Sequence, residues 1–187
     1  MVLGMNSSKQ KGDRNEREAV EVLKAVAPDL VLPTARRKLG AGRQDDMGDL
    51  DAFDDTTVQV KALKSVSEAI RAASQGARVQ AARAATRFHV GLAPIPGARR
   101  TGVKWLCGTY EWPTDLPDDT PTFSITVTAI DWLRRPDNDR PLENRVVRLS
   151  RAGVESYLGT VEAWTAALRE ARRADFTDER GRERVVA

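Results

Sequence analysis

Apolar residues along this chain alternate between helical and strand periods, and the changes of period outline a fold. Ala19, Val20, Val22, Leu23 and Val26 recur at helical spacing and predict a helix from Asn15 to about Ala27, stopped by Pro28. At roughly 100° per residue, Glu16 lies about 50° from the centre of that apolar face, whereas Glu18 and Glu21 lie about 110° and 170° away. Glu16 is therefore the acid that leans toward the interior, and Gly12 falls on the same side. Leu30 to Leu32 fits a short strand, and Arg36 to Arg43 reads as a basic loop with two glycines. Two strands follow, over about 48–53 and 56–63, and then an alanine-rich helix over 65–85 with Ser67 as its N-cap and Glu68 in its first turn. Strands are predicted again over 88–93 and 103–108. The order helix, strand, strand, strand, helix, strand, strand predicts an α/β protein, a mixed sheet with a helix on each side.

After Gly108 the pattern loosens, which divides the chain into a core over 1–108 and an extension over 109–187. Tyr110 to Pro121 is rich in Pro and Asp and reads as a linker. Residues 123–128 alternate like a strand, with Ile125 and Val127 on one face. Residues 145–149 fit another strand. Val154, Tyr157, Leu158, Val161, Trp164 and Leu168 fit the apolar side of a helix over 150–173. Met1 to Lys11 reads as a flexible basic start, and residues 175–184 as a charged, fraying tail.

Composition narrows the classes. A chain of 187 residues can bury a core without disulfides or metal staples. The single cysteine, Cys107, excludes an internal disulfide and a cysteine-based zinc site, and fits a reducing compartment. The start lacks the apolar run of a signal peptide, and no stretch approaches the roughly 20 apolar residues of a membrane span. A soluble, cytoplasmic protein is expected. The net charge of +3 is uneven: residues 1–108 carry +6 and residues 109–187 carry −3. The first part is the half suited to a polyanion.

Candidate chemistry concentrates in Gly48-Asp49-Leu50-Asp51-Ala52-Phe53-Asp54-Asp55-Thr56-Thr57-Val58-Gln59-Val60-Lys61. With the apolar sides of the two strands matched, Asp49 and Asp51 share a face with Gln59 and Lys61. That matching needs an odd-length turn. A Phe53–Asp55 loop sets Asp49 against Gln59, and an Asp54–Thr56 loop sets Asp51 there instead. The functional reading is a magnesium site. Asp49 gives a carboxylate, Gln59 a side-chain carbonyl, Val60 a backbone carbonyl, and Glu16 reaches in from the first helix. Lys61 would stabilise charge on a scissile phosphate or orient the attacking water. The bland alternative is a surface hairpin with solvated charges.

The surroundings of the corner resemble a known family. Lys11-Gly12-Asp13-Arg14-Asn15-Glu16-Arg17-Glu18 is similar to the opening of Holliday-junction resolvases of the PD-(D/E)XK nuclease superfamily. Arg36-Arg37, the glycine loop to Arg43 and Gly48-Asp49-Leu50 look like the resolvase-type proteins of actinobacterial phages. The E-x-K of that family falls on Gln59-Val60-Lys61. The likeness covers residues 9–108. It implies a restriction-endonuclease-like sheet and a Mg²⁺-dependent endonuclease, with Mn²⁺ as a substitute. The implied substrate is branched DNA, as in recombination, and a homodimer would present two active sites in the host cytoplasm. Glu16, Asp49 and Lys61 are the implied catalytic residues, with Gln59 in place of the second acid. Asp51 or Asp46 could restore the missing charge. Arg36, Arg37, Lys38, Arg43, Arg99 and Arg100 are the implied DNA contacts. A neutral Gln59 also admits a silent nuclease fold that serves in binding or assembly.

Other residues carry less. His89 has no ligand-spaced neighbours, Cys107 reads as a buried thiol, and Trp105 and Trp112 read as core rather than base-stacking residues. Arg71, Arg78, Arg83 and Arg87 only partly share a face of their helix, and Gln75 and Gln80 read as exposed-helix residues.

Overall fold

The computed structural model describes residues 5–38, 48–97 and 102–186, with side chains over 10–38, 48–97 and 102–177. Its elements are α1 (Met5–Val26), β1 (Arg36–Arg37), β2 (Leu50–Asp51), β3 (Thr56–Val60), α2 (Val66–Ala84), β4 (Phe88–Pro94), β5 (Trp105–Thr109), β6 (Thr122–Phe123), α3 (Thr126–Arg134), β7 (Val146–Arg151), β8 (Val154–Thr160) and α4 (Val161–Val186). The fold is α/β. Eight strands form one mixed sheet in the order β1-β2-β3-β4-β5-β8-β7-β6. β3–β4 and β6–β7 pair parallel and the other neighbours antiparallel. No helix among the described residues is long and apolar enough to cross a membrane.

Strand alternation sorts the core into two faces. Val58, Val60, Val90, Leu92, Trp105 and Cys107 point toward α1 and α4, where Leu23, Phe53, Trp164 and Leu168 complete one cluster. Ala93, Leu106, Val147, Leu149 and Leu158 point toward α2 and α3, with Ile70, Ile130 and Leu133. The α2 side packs very closely. A Cβ on Gly91 would lie 2.3 Å from the Ser74 backbone nitrogen, so only glycine fits where α2 crosses β4.

The boundary at residue 108 runs through this sheet. β5 pairs with β8, so residues 109–187 extend the sheet of residues 1–108. Several local expectations are corrected. α1 begins at Met5, well before the apolar face that predicted it, because a helix once nucleated propagates at little cost per residue. Leu30 to Leu32 is not a strand: Leu30 and Val31 turn back on α1, both donating to the Ala27 carbonyl, and the Leu32 N–H donates to the Ala52 carbonyl. Arg36 and Arg37 form an edge strand rather than a loop. The cap of α2 is Ser65, whose Oγ accepts the Glu68 N–H at 3.3 Å, while Ser67 bonds the Ser65 hydroxyl. Gln80 is buried.

Two larger corrections lie in the extension. Of the segment 123–128 only Phe123 lies in a strand, as the second residue of β6, and α3 begins at Thr126. Ile125 and Val127 alternate as a strand would, yet they are 60% and 55% exposed, and the buried set is Ala129, Ile130 and Leu133. The helix over 150–173 is in fact a hairpin followed by a helix. β7 and β8 turn at Ala152 and Gly153, both with positive φ, which matches the twist of a two-residue hairpin. Val154, Tyr157 and Leu158 belong to β8, and α4 takes over from Val161. Helix continues through residues 175–184.

Candidate active site

The hairpin of β2 and β3 has Leu50 opposite Val58, a register centred on the Phe53–Asp55 loop. It is the odd-length arrangement that sets Asp49 against Gln59. Gly48 makes the entry possible: its φ is +103°, and a Cβ there would come within 3.0 Å of the Val58 carbonyl oxygen. Asp49 N then donates to Val58 O at 2.8 Å, and the Asp49 carbonyl accepts from Lys38 N at 2.8 Å.

Asp49 Oδ2 is the hub. Val60 N donates to it at 2.7 Å, Gln59 Nε2 also donates to it, and Lys61 Nζ lies 3.9 Å away. Val60 thus meets Asp49 through its N–H. Because a carboxylate oxygen only accepts, the amide nitrogen is the end of Gln59 that faces it. Gln59 is 2% exposed, and its side chain lies under α2 at Gly76, where a Cβ would sit 3.2 Å from Gln59 Cγ and Oε1. Asp51 stands opposite Arg36 in the β1–β2 ladder, so Asp49 rather than Asp51 is the acid that Gln59 engages.

Glu16 arrives from α1, placed by the burial of Ala19, Val20 and Leu23 on the same helix. Its pKa is raised, first by burial and then by the charge of Asp49, against the lowering effects of Arg37 and Lys61. Two acids that raise each other's cost of ionisation are what a cation relieves. Arg37 is turned inward: Nη1 lies 2.7 Å from Asp13 Oδ1 and Nε 3.7 Å from Glu16 Oε2. The guanidinium of this expected phosphate contact is paired with two acids of α1. Asp13 escaped the sequence reading, although its place three residues before Glu16 puts both on one side of α1. Arg36 and Lys38 are exposed beside the corner. Arg43, Arg99, Arg100 and Asp46 lie outside the described residues.

The donor set suits a hard cation only in a modest way. Among the described residues no group of three His, Cys, Asp or Glu side chains could hold a metal ion. Glu16 and Asp49 would supply two carboxylates, and Mg²⁺ is commonly held by one or two carboxylates with waters and substrate phosphate filling the remainder. Gln59 would add its oxygen only with the amide turned end for end.

The other candidates are structural. His89 is buried, its pKa lowered by burial, with Glu111 opposing and Arg78 assisting, and its Nε2 accepts the Tyr110 N–H at 3.3 Å. Burial pushes the Cys107 thiol far up, and Sγ donates to the Thr160 carbonyl at 3.1 Å. Trp105 is core. Trp112 packs against the α1–α4 cluster and tilts against Tyr157. The arginines of α2 diverge: Arg78 lies over the Tyr110 ring, and Arg87, just beyond the helix, pairs with Asp175 of α4.

No family model matches the chain, and comparison with curated proteins and with solved structures gives no match.

Proposed function

We propose that this protein is a Mg²⁺-dependent endonuclease of the PD-(D/E)XK type that hydrolyses phosphodiester bonds in branched DNA. The observation that carries the reading is the meeting of Asp49, Gln59 and Lys61 at the open end of one hairpin, within the electrostatic reach of Glu16. Glu16 and Asp49 would hold the cation. When bound, it would supply Lewis-acid polarisation of the phosphate. Lys61, whose side chain is 42% exposed, is free to lean from Asp49 to a phosphate oxygen and stabilise the charge that grows there. Arg36 and Lys38 would follow the DNA backbone, and a homodimer would present two such corners to the two strands of a junction.

The test is incubation of purified protein with a four-way junction in Mg²⁺ or Mn²⁺. Nicking that falls about 100-fold or more in Lys61→Ala supports the proposal. Junction DNA that is bound and stays intact in both metals removes the enzymatic claim.

One observation favours a second reading. Gln59 donates to the very oxygen of Asp49 that Val60 and Lys61 also approach, so that oxygen has its partners without a cation. A nuclease fold silenced in this way would bind DNA, or serve in an assembly, without cutting. Nicking that appears only in Gln59→Glu supports this reading. Nicking by the unaltered chain excludes it.

A further inference from the structure

α4 reaches across the molecule to the loop that fixes the hairpin register. Arg172 Nη2 donates to Asp55 Oδ1 at 2.5 Å and Nε donates to Asp55 Oδ2 at 3.1 Å. The same guanidinium lies 5.6 Å from the centroid of the Phe53 ring, and that ring meets Trp164 of α4 edge-on at 5.7 Å. Phe53 and Asp55 are the two ends of the three-residue loop. One arginine therefore grips the last residue before the loop's midpoint and the first after it. Asp55 is fixed further by the Thr56 hydroxyl, which donates to its Oδ1 at 2.9 Å, and its carbonyl accepts the Phe88 N–H at 3.0 Å. The Asp55 pKa is lowered: burial alone would raise it, and the bonds from Arg172 and Thr56 outweigh burial.

Register is the property that matters here. A slip of one residue sends every side chain of a strand to the opposite face and would separate Asp49 from Gln59. β2 contributes only Leu50 and Asp51 to the ladder, so few hydrogen bonds resist such a slip. We infer that Arg172 is a positioning residue for the candidate active site, locking the β2–β3 register through Asp55 and Phe53 so that Asp49, Gln59 and Lys61 stay together. This role rests on the nuclease reading for its purpose and on the geometry of the loop for its existence. It gives the C-terminal helix a function beyond filling the core.

A matched control lies one turn away on the same helix. Arg169 pairs with Asp29 at 2.6 and 2.7 Å, in the turn after α1 rather than in the hairpin loop. The experiment is amide hydrogen exchange on Arg172→Gln, Arg169→Gln and the unaltered chain, with Mn²⁺ binding followed by calorimetry. In Arg172→Gln the amides of Asp49 and Val60, which bond across the hairpin, are expected to exchange about tenfold faster. The Lys61 amide, which bonds to Leu92 of β4, stays protected. Arg169→Gln leaves all three unchanged, and Mn²⁺ affinity falls in Arg172→Gln alone. Asp55→Asn, which keeps the shape and removes the charge, should reproduce the Arg172→Gln pattern and serves if the latter does not fold. Equal effects of Arg172→Gln and Arg169→Gln on the Asp49 and Val60 amides would overturn the inference. Failure of the unaltered chain to bind Mn²⁺ would count against the nuclease reading, while the exchange pattern would still decide the role of Arg172 in the register.

Discussion

The two faces of the sheet are held by different physics. On the α2 side, alanines and glycines bring the helix so near that Gly91 has no room for a Cβ, and Gln59 lies flat beneath Gly76. On the α1–α4 side the fillers are large, Leu23, Phe53, Trp164 and Leu168, and the helix adds charged pairs at its rim, Arg169 with Asp29 and Arg172 with Asp55. Close packing tolerates almost no change of volume, whereas an ion pair at the rim can be removed with the core intact. The candidate site draws on both. Its amide is fixed by closeness on one face, and its hairpin is fixed by charge on the other.

Breaking the close face should have the largest effect. Gly91→Ala drives a methyl into the Ser74 and Ala73 backbone and should cost about 3 kcal/mol, lowering Tm by roughly 6–12 °C in a thermal melt. A change of under 2 °C would mean that α2 rises easily and that Gln59 is not held by closeness. Next comes Glu16→Gln, where stability and activity should part. Burial and Asp49 make ionised Glu16 costly in the fold, so without divalent cation the variant should melt above the unaltered chain at pH 7. Its cleavage should fall by about two orders of magnitude. Parallel losses in both measurements would show that Glu16 serves the fold through Arg37 instead.

The rim pairs set a pH signature of the opposite sign. Asp55 and Asp29 have pKa values lowered in the fold, Asp55 against its burial and Asp29, through its bonds from Arg169, to about 2. For a depressed acid the stabilisation is present above the unfolded pKa and disappears as pH falls through the folded one. Urea midpoints should therefore drop between about pH 4 and pH 2, and this acid-side drop should shrink in Arg172→Gln. For Glu16 the raised value means that stability is lost as pH rises past the ordinary glutamate range. The smallest effect belongs to Gly12→Ala. A Cβ there meets nothing within 4 Å, and the gain in helix stability should be about 0.5–1 kcal/mol, read as a higher urea midpoint.

How much of this was legible in the sequence depended on the range of the interaction. α1, β2, β3, α2, β4 and β5 follow from local periods, whereas β1 does not, because its two arginines carry no apolar alternation and the apolar run at Leu30 to Leu32 draws the strand there instead. The odd-length turn follows from strand alternation, with the choice between two loops left open. The helical phase of Glu16 also follows. Period fails where exposed residues imitate a core pattern, as Ile125 and Val127 do before α3. It fails again where one pattern fits two elements, as Val154 through Leu168 does across the β7–β8 hairpin and α4. The turn of that hairpin gives little warning, because Ala152 takes the left-handed conformation that Asn or Gly would have advertised. Partners distant in sequence are harder still. Nothing local pairs Arg37 with Asp13 or Arg172 with Asp55.

The corner formed by Glu16, Asp49, Gln59 and Lys61 is proposed to cut DNA. Single-turnover cleavage of a labelled four-way junction by the purified protein in Mg²⁺, with Lys61→Ala alongside, tests it most directly. The unaltered chain should nick the junction, and Lys61→Ala should nick it about 100-fold less at equal junction binding. Junction that stays whole, or equal nicking by both proteins, would contradict it.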